Sequence, residues 1–134
     1  MNDLNRGKLV SAIFITFSGN CRKALTYYQA CFGGTLRFET FEQEVHGYRE
    51  KPVISGSLVS DRIIIHGSDL VHAEGRTLGN YLSVFMLCKD TADRRALVEK
   101  LGLNEQHLFA GNDVNDQKLV EVTDAFDVRW VLGI

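Results

Sequence analysis

The stretch from Phe17 to Gly34, FSGNCRKALTYYQACFGG, decides how the chain is read. Ser18-Gly19-Asn20 interrupts an apolar run. Asn20 then stands where a helix N-cap belongs, since its side-chain oxygen can accept from the free N–H groups of a first turn. Cys21, Ala24, Leu25, Tyr28 and Phe32 follow at i, i+3, i+4, i+7 and i+11, one apolar stripe of a helix. Gly33-Gly34 stops it, because glycine accepts the positive φ that helix C-termini use. Upstream, Val10 to Phe17 (VSAIFITF) is β-branched, apolar and aromatic, the pattern of a buried strand.

Downstream, Thr35 to Glu42 alternates, with Leu36, Phe38, Thr40 and Glu42 on one face and Arg37, Glu39 and Phe41 on the other. Gln43 to Lys51 is polar and reads as a loop. Val53 to Val59 and Arg62 to His66 read as strands joined at Ser60-Asp61, and Ser68 to Gly79 as a linker. The pattern then recurs. Tyr81 to Cys88 is an apolar strand, and Asp90-Thr91 caps a helix with Ala96, Leu97 and Leu101 as its apolar face, ending at Gly102. Leu108 to Ala110, Lys118 to Val122 and Val128 to Leu132 follow as strands, with a loop at Gly111 to Asp116 and a turn at Asp124. The two caps lie 70 residues apart. A βαβββ order occurring twice predicts an α+β fold of two modules, about 8–69 and 79–134, in one domain of 134 residues.

Composition narrows the function. A net charge of −2 gives no broad basic field for nucleic acid or an anionic membrane, and the tightest basic pair, Arg94-Arg95, suits an exposed helix face. No run of about 18 apolar residues is present, so no membrane span is expected. Met1 to Lys8 lacks the apolar core of a secretion signal, and a cytoplasmic location is the expectation. Cys21, Cys31 and Cys88 form no CxxC pair and predict neither a disulfide framework nor a zinc knot. Neither GxGxxG after a strand nor GxxxxGK[ST] occurs, so Rossmann-type nucleotide and S-adenosylmethionine sites lack support.

Three segments carry a family resemblance. FSGNCRKALTYYQACFGG resembles the F-x-G-N-C-x-x-A-L-x-Y-Y-x-x-x-F-G-G opening of the PhnB-like branch of the vicinal oxygen chelate superfamily, which includes glyoxalase I, bleomycin-resistance proteins and extradiol dioxygenases. Asp61 to Asp69 (DRIIIHGSD) resembles its strand-then-G-S-D ending, and Leu119 to Leu132 (LVEVTDAFDVRWVL) its D-x-F-G-V-x-W-x-L close. The resemblance implies a curled mixed sheet with a central cup, helices on the outer face, and homodimers in many members. It also implies four metal ligands in the metalloenzymes, one from the first and one from the last strand of each module.

Carried onto this chain, the first ligand position lies seven residues before the cap, at Ile13. The repeat offset gives Ser83, the residue after Trp130 gives Val131, and the strand before Gly67-Ser68-Asp69 gives His66. A zinc, nickel or iron(II) site needs three or more His, carboxylate or thiolate ligands. Ile13, His66, Ser83 and Val131 supply one, so no metal and no other cofactor is expected. Where the branch often carries H-A-E-L, this chain has Ser55, Gly56, Ser57 and Leu58.

The candidate site residues are therefore few. His66 could serve as a base or hydrogen-bond partner in the cup, or be an ordinary core histidine. Arg129, on the face of Val131, could bind a carboxylate or sit at a surface. His46 and Tyr48 fall in the loop expected over the cup mouth, and Phe17 joins them as a ligand-lining candidate. Alternation turns Trp130 towards the helices, and the apolar stripe makes Cys21 a buried, inert thiol. The expected function is metal-free binding of a small organic molecule by a homodimer. The alternatives are a metal-dependent lyase, isomerase or dioxygenase, and a non-catalytic structural dimer.

Overall fold

The computed structural model describes residues 11–41, 51–69, 76–102, 106–108 and 118–134. Two compact units divide the chain, Met1–Thr77 and Leu78–Ile134.

In the first unit the order is β1 (Ile13–Thr16), α1 (Cys21–Phe32), β2 (Thr35–Thr40), β3 (Val53–Val59) and β4 (Ile64–Ser68). The strands form one mixed sheet in the order β1-β4-β3-β2, with β1 parallel to β4 and the other pairs antiparallel. Helix α1 covers one face, and two glycines mark where it comes closest. A Cβ on Gly56 would stand 2.9 Å from Leu25, and one on Gly67 would stand 2.9 Å from Phe17 and 3.1 Å from Cys21. Alternation therefore sends Ile65 and Leu58 to the helix side and His66 and Ser57 to the other. Phe17, Leu25, Tyr28, Leu58 and Ile65 are all 0% exposed and make the core of this unit. Burying each such side chain stabilises the fold by about 1.5–3 kcal/mol before conformational entropy is counted.

The expected cap on α1 is corrected. Asn20 makes no side-chain cap hydrogen bond. Asp69 takes that role from the far end of β4: its Oδ1 accepts from Gly19 and Cys21 backbone N–H and its Oδ2 from Val53 N–H, each at 2.9 Å. A buried carboxylate thus ties the β1–α1 link, the helix start and the start of β3 together, with the helix dipole favouring its charge. Ser68 and Asp69, expected in the linker, are instead the end of β4 and this clamp. Residues 70–75 of that linker lie outside the described residues.

In the second unit β5 (Val84–Leu87), α2 (Thr91–Leu101), β6 (Gln106–Leu108), β7 (Leu119–Thr123) and β8 (Arg129–Gly133) repeat the plan, with strand order β5-β8-β7-β6. Asp90 caps α2 through Asp93 N–H at 2.8 Å, and Asp93 returns a bond to Lys89 N–H at 2.9 Å. The second bond goes to the residue before the cap rather than to the cap itself, so the pair is a variant of the capping box. The expected apolar face of α2 is corrected at one of its three residues. Ala96 is exposed, and the inner stripe is Arg94, Leu97, Val98 and Leu101. Arg94, expected on an exposed face, is 1% exposed and donates to the Lys118 carbonyl at 3.2 Å. The i, i+3, i+4, i+7 spacing places it there, and a long aliphatic stem lets arginine pack while its head bonds.

The β7–β8 turn explains the C-terminal motif. Asp124 Oδ1 accepts from Phe126 and Val128 N–H at 2.8 and 3.1 Å, and its Oδ2 accepts from the buried Trp130 indole N–H at 2.8 Å. Trp130 faces the helix side, as alternation requires. Between the bonded residues, Asp127 has φ 68, the left-handed region that glycine favours. Loop Gly111 to Asp116 and residues 109–110 lie outside the described residues, as do residues 42–50. Among the described residues no helix is long and apolar enough to cross a membrane.

Candidate functional site: the open face of the first sheet

Each sheet has one face covered by its helix, and the face without a helix is its open face. On the first sheet one row of that face runs across all four strands. Phe14 on β1 pairs with His66 on β4, His66 with Ser57 on β3, and Ser57 with Arg37 on β2. Cross-strand partners share a face and lie about 4.8 Å apart, so the row sets an aromatic ring, an imidazole, a hydroxyl and a guanidinium side by side.

Burial along the row is uneven. Phe14 is 63% exposed, whereas His66 is 8% and Ser57 4% exposed. The His66 Nδ1 is shut away from solvent without a hydrogen-bond partner among the described residues. An imidazole of this kind is costly: an orphaned buried polar group destabilises by about 1–3 kcal/mol. Burial also pushes the His66 pKa below the ordinary histidine value, which keeps the ring neutral at neutral pH. Neutral imidazole carries one N–H donor and one lone-pair acceptor.

The other candidates fall elsewhere. Phe17 is a correction: it is fully buried on the helix side against Gly67 and does not share the face of His66. Ile13 is a second correction, since it pairs with Ile65 and faces the helix layer; Phe14 holds the β1 place beside His66. His46 and Tyr48 lie outside the described residues. Arg129 lies on the open face of the second sheet with Val131, and its guanidinium is engaged. Nη2 meets Glu121 Oε1 at 2.7 Å and Nη1 donates to the Asn80 carbonyl. In that sheet Phe85, 59% exposed, holds the place of Phe14; it pairs with Val131 and its ring lies over Gly133. Cys21 is buried, and burial first and Asp69 second push its thiol up to about 12, so it is not a nucleophile.

Three residues of the row, Phe14, Ser57 and Arg37, are missed by the sequence reading. Phe14 was legible by parity, because Phe17 belongs to the core with Ile15 and Ile13, which leaves Phe14 on the opposite face. Ser57 needed the β3–β4 register, which no local pattern supplies.

The donor set does not fit the metal of the vicinal oxygen chelate enzymes. In the first unit the β1 and β4 places beside each other are Phe14 and His66, one ligand at most; in the second those of β5 and β8 are Phe85 and Val131, both hydrocarbon, with Phe85 rather than the expected Ser83 paired to Val131. Glu121, on β7 beside Val131, pairs with Arg129. Among the described residues no group of three His, Cys, Asp or Glu converges.

Solved structures supply the comparison. No family model matches the sequence, and no curated protein matches it significantly. Protein PA1353 from Pseudomonas aeruginosa superposes with a TM-score of 0.74 at 22% identity, over 94% of this chain and 97% of that one. The PhnB protein from Bacillus cereus, named as a candidate 3-demethylubiquinone-9 3-methyltransferase, gives 0.71 at 17% identity over 93% and 98%. A glyoxalase/bleomycin resistance protein/dioxygenase superfamily member from Sphaerobacter thermophilus gives 0.51 at 14% identity over 93% and 97%. With its twofold βαβββ order and these likenesses along nearly the whole chain, the protein has the fold of the vicinal oxygen chelate superfamily.

Proposed function

We propose that this protein binds a small organic molecule on the open face of its first sheet, around His66, without a metal ion. The observation that carries this reading is the His66 imidazole, buried and neutral, with Nδ1 unpartnered on the sheet face away from the helix. A protein that keeps such a group in its core loses stability by it, unless a bound molecule supplies the missing partner. The exposed Phe14 ring beside it offers apolar surface to the same molecule. Ser57 stands beside His66, yet the His66 Nδ1 accepts no hydrogen bond from it, and no pair of carboxylates stands in this row, so binding without chemistry accounts for the residues best.

The reading includes a homodimer in the cytoplasm. Among the described residues β1 and β5 are edge strands, each paired on one side, and they carry Phe14, Phe85 and Leu87 at 59–66% exposure. Open edges with apolar side chains favour pairing with a second copy.

A library of neutral and charged organic fragments, followed by melting temperature with zinc, nickel or a chelator present, tests the binding. Ligands should raise the melting temperature equally in all three conditions. His66→Ala should weaken that shift while leaving the melting of the free protein nearly unchanged. A variant that melts several degrees lower yet binds the same fragment normally would make His66 a core residue and remove it from the site. Elemental analysis finding about one zinc, nickel or iron per chain, lost to a chelator together with stability, would overturn the metal-free reading.

A further inference from the structure

We infer that the ligand of this face is an uncharged planar molecule bearing a hydroxyl or N–H group, its ring stacked on Phe14 and its polar group hydrogen-bonded to His66. The inference rests on the proposed binding role of the face and names the ligand class it takes.

Phe14 presents a ring that is 63% exposed on an edge strand, in register with His66 on the next strand. Aromatic pairs favour offset or tilted packing at about 4.5–7 Å between centroids. A flat ligand lying on Phe14 at that height reaches across one strand spacing, about 4.8 Å, with a substituent of one or two atoms. That substituent meets the imidazole. The edge bearing Nδ1 is turned inward, but histidine χ2 is a soft, roughly twofold torsion. Half a turn exchanges Nδ1 with Cδ2 and brings the unpartnered nitrogen to the reachable edge.

Among the described residues the neighbours of His66 on its face disfavour an anion. Around His66 the side chains of its own face are Phe14 on β1, Ser57 on β3, and Ile64 and Ser68 along β4, none of them charged. The nearest cation in the row, Arg37, stands beyond Ser57, two strand spacings or about 10 Å from His66. A carboxylate placed on His66 would lose its hydration to a neutral ring and meet no cation among these described neighbours; Arg76, at the β1 edge, is held by the Thr16 carbonyl at 3.0 Å. A hydroxyl or N–H carries no such penalty. It can also pair with either tautomer, because a hydroxyl both donates and accepts.

Phenol, toluene and benzoate share one ring and differ in the group placed on it, so they isolate the polar contact. Each is titrated into protein labelled with 15N in its histidines and 13C in its phenylalanine rings, and the loss of signals in His66→Leu and Phe14→Ala identifies the two residues. Phenol should move both the His66 nitrogens and the Phe14 ring, and bind about five-fold tighter than toluene, the gain of one ordinary net hydrogen bond. His66→Leu should make phenol and toluene equal, and Phe14→Ala should weaken both. Equal binding of phenol and toluene to the unaltered protein overturns the inference, and so does tighter binding of benzoate through the same two residues. Either result leaves the binding face standing. If none of the three moves either residue at tens of millimolar, the inference falls together with the proposed binding role.

Discussion

Replacing Asp69 isolates the contact that holds the first unit together. Its carboxylate is 2% exposed and accepts three backbone N–H groups at 2.9 Å, from Gly19, Cys21 and Val53. In Asp69→Ala all three donors lose their acceptor, two of them in buried bonds. Hydrogen bonds to a charged group contribute about 1.5–3 kcal/mol each, and water entering the gap recovers part of the loss. A cost of about 4 kcal/mol follows, a large share of the 5–15 kcal/mol that holds typical proteins folded. For a chain of this size 1 kcal/mol moves the melting temperature by about 4 °C, so the variant should melt about 15 °C lower. Asp69→Asn is the sharper test. Gly19 and Cys21 share one oxygen, which an amide retains, while the amide nitrogen meets the Val53 N–H donor to donor. One bond is lost, and the expected cost is about 2 kcal/mol. Urea unfolding followed by circular dichroism gives both values. Hydrogen exchange should quicken at Val53 in Asp69→Asn, and at all three amides in Asp69→Ala. An alanine variant within 1 kcal/mol of the original protein, or an asparagine variant no better than alanine, would refute the clamp.

Light scattering across micromolar concentrations should give twice the 15.1 kDa chain mass, and a steady monomer mass would remove the dimer. Asp127, at φ 68, should tolerate Gly with unchanged or slightly raised stability, whereas Asp127→Val should cost about 1–2 kcal/mol by thermal unfolding. Equal stability of the Gly and Val variants would contradict the left-handed turn. Burial lowers the His66 pKa below its unfolded value, so the neutral ring's contribution is present above about pH 6.5 and is lost as pH falls through the lower folded value. The urea midpoint should therefore drop on acidification from pH 7.5 to 5, and His66→Leu should flatten that drop.

The sequence reading succeeded where one periodicity governed one element. The stripe from Cys21 to Phe32 marked α1 because its apolar residues recur at helical spacing and face Gly56 and Gly67. Trp130 and Val131 were assigned to opposite faces by the alternation of β8, and the register agrees. It failed where a distant group does the work. Asn20 has the chemistry of a cap, yet Asp69, nearly fifty residues away, occupies its place. Arg94 looked exposed because charge outweighed spacing in the reading, whereas its position on the stripe of α2 decided its burial.

The misplacement of Ile13 has one physical cause. Between β1 and α1 one more residue is inserted than between β5 and α2: Phe14 stands six residues before its cap Asn20, and Phe85 stands five before Asp90. The extra residue lies in the link through Ser18-Gly19, where Gly19 has φ 103. Strand side chains alternate, so any count from the cap that misses one residue moves every assignment to the other face. Ile13 falls on the helix side and Phe14 beside His66 for that reason alone. The count succeeds for β4 because it starts inside the strand's own ending, with no irregular link to cross. Deleting one residue from the Phe17–Asn20 link would force a choice. The sheet register of β1 could hold while α1 shifts off Gly56 and Gly67, or α1 could hold while Phe14 turns inward. The Gly56 and Gly67 contacts fill the core of the unit, whereas β1 is an edge strand paired on one side, so β1 is the element that should give way.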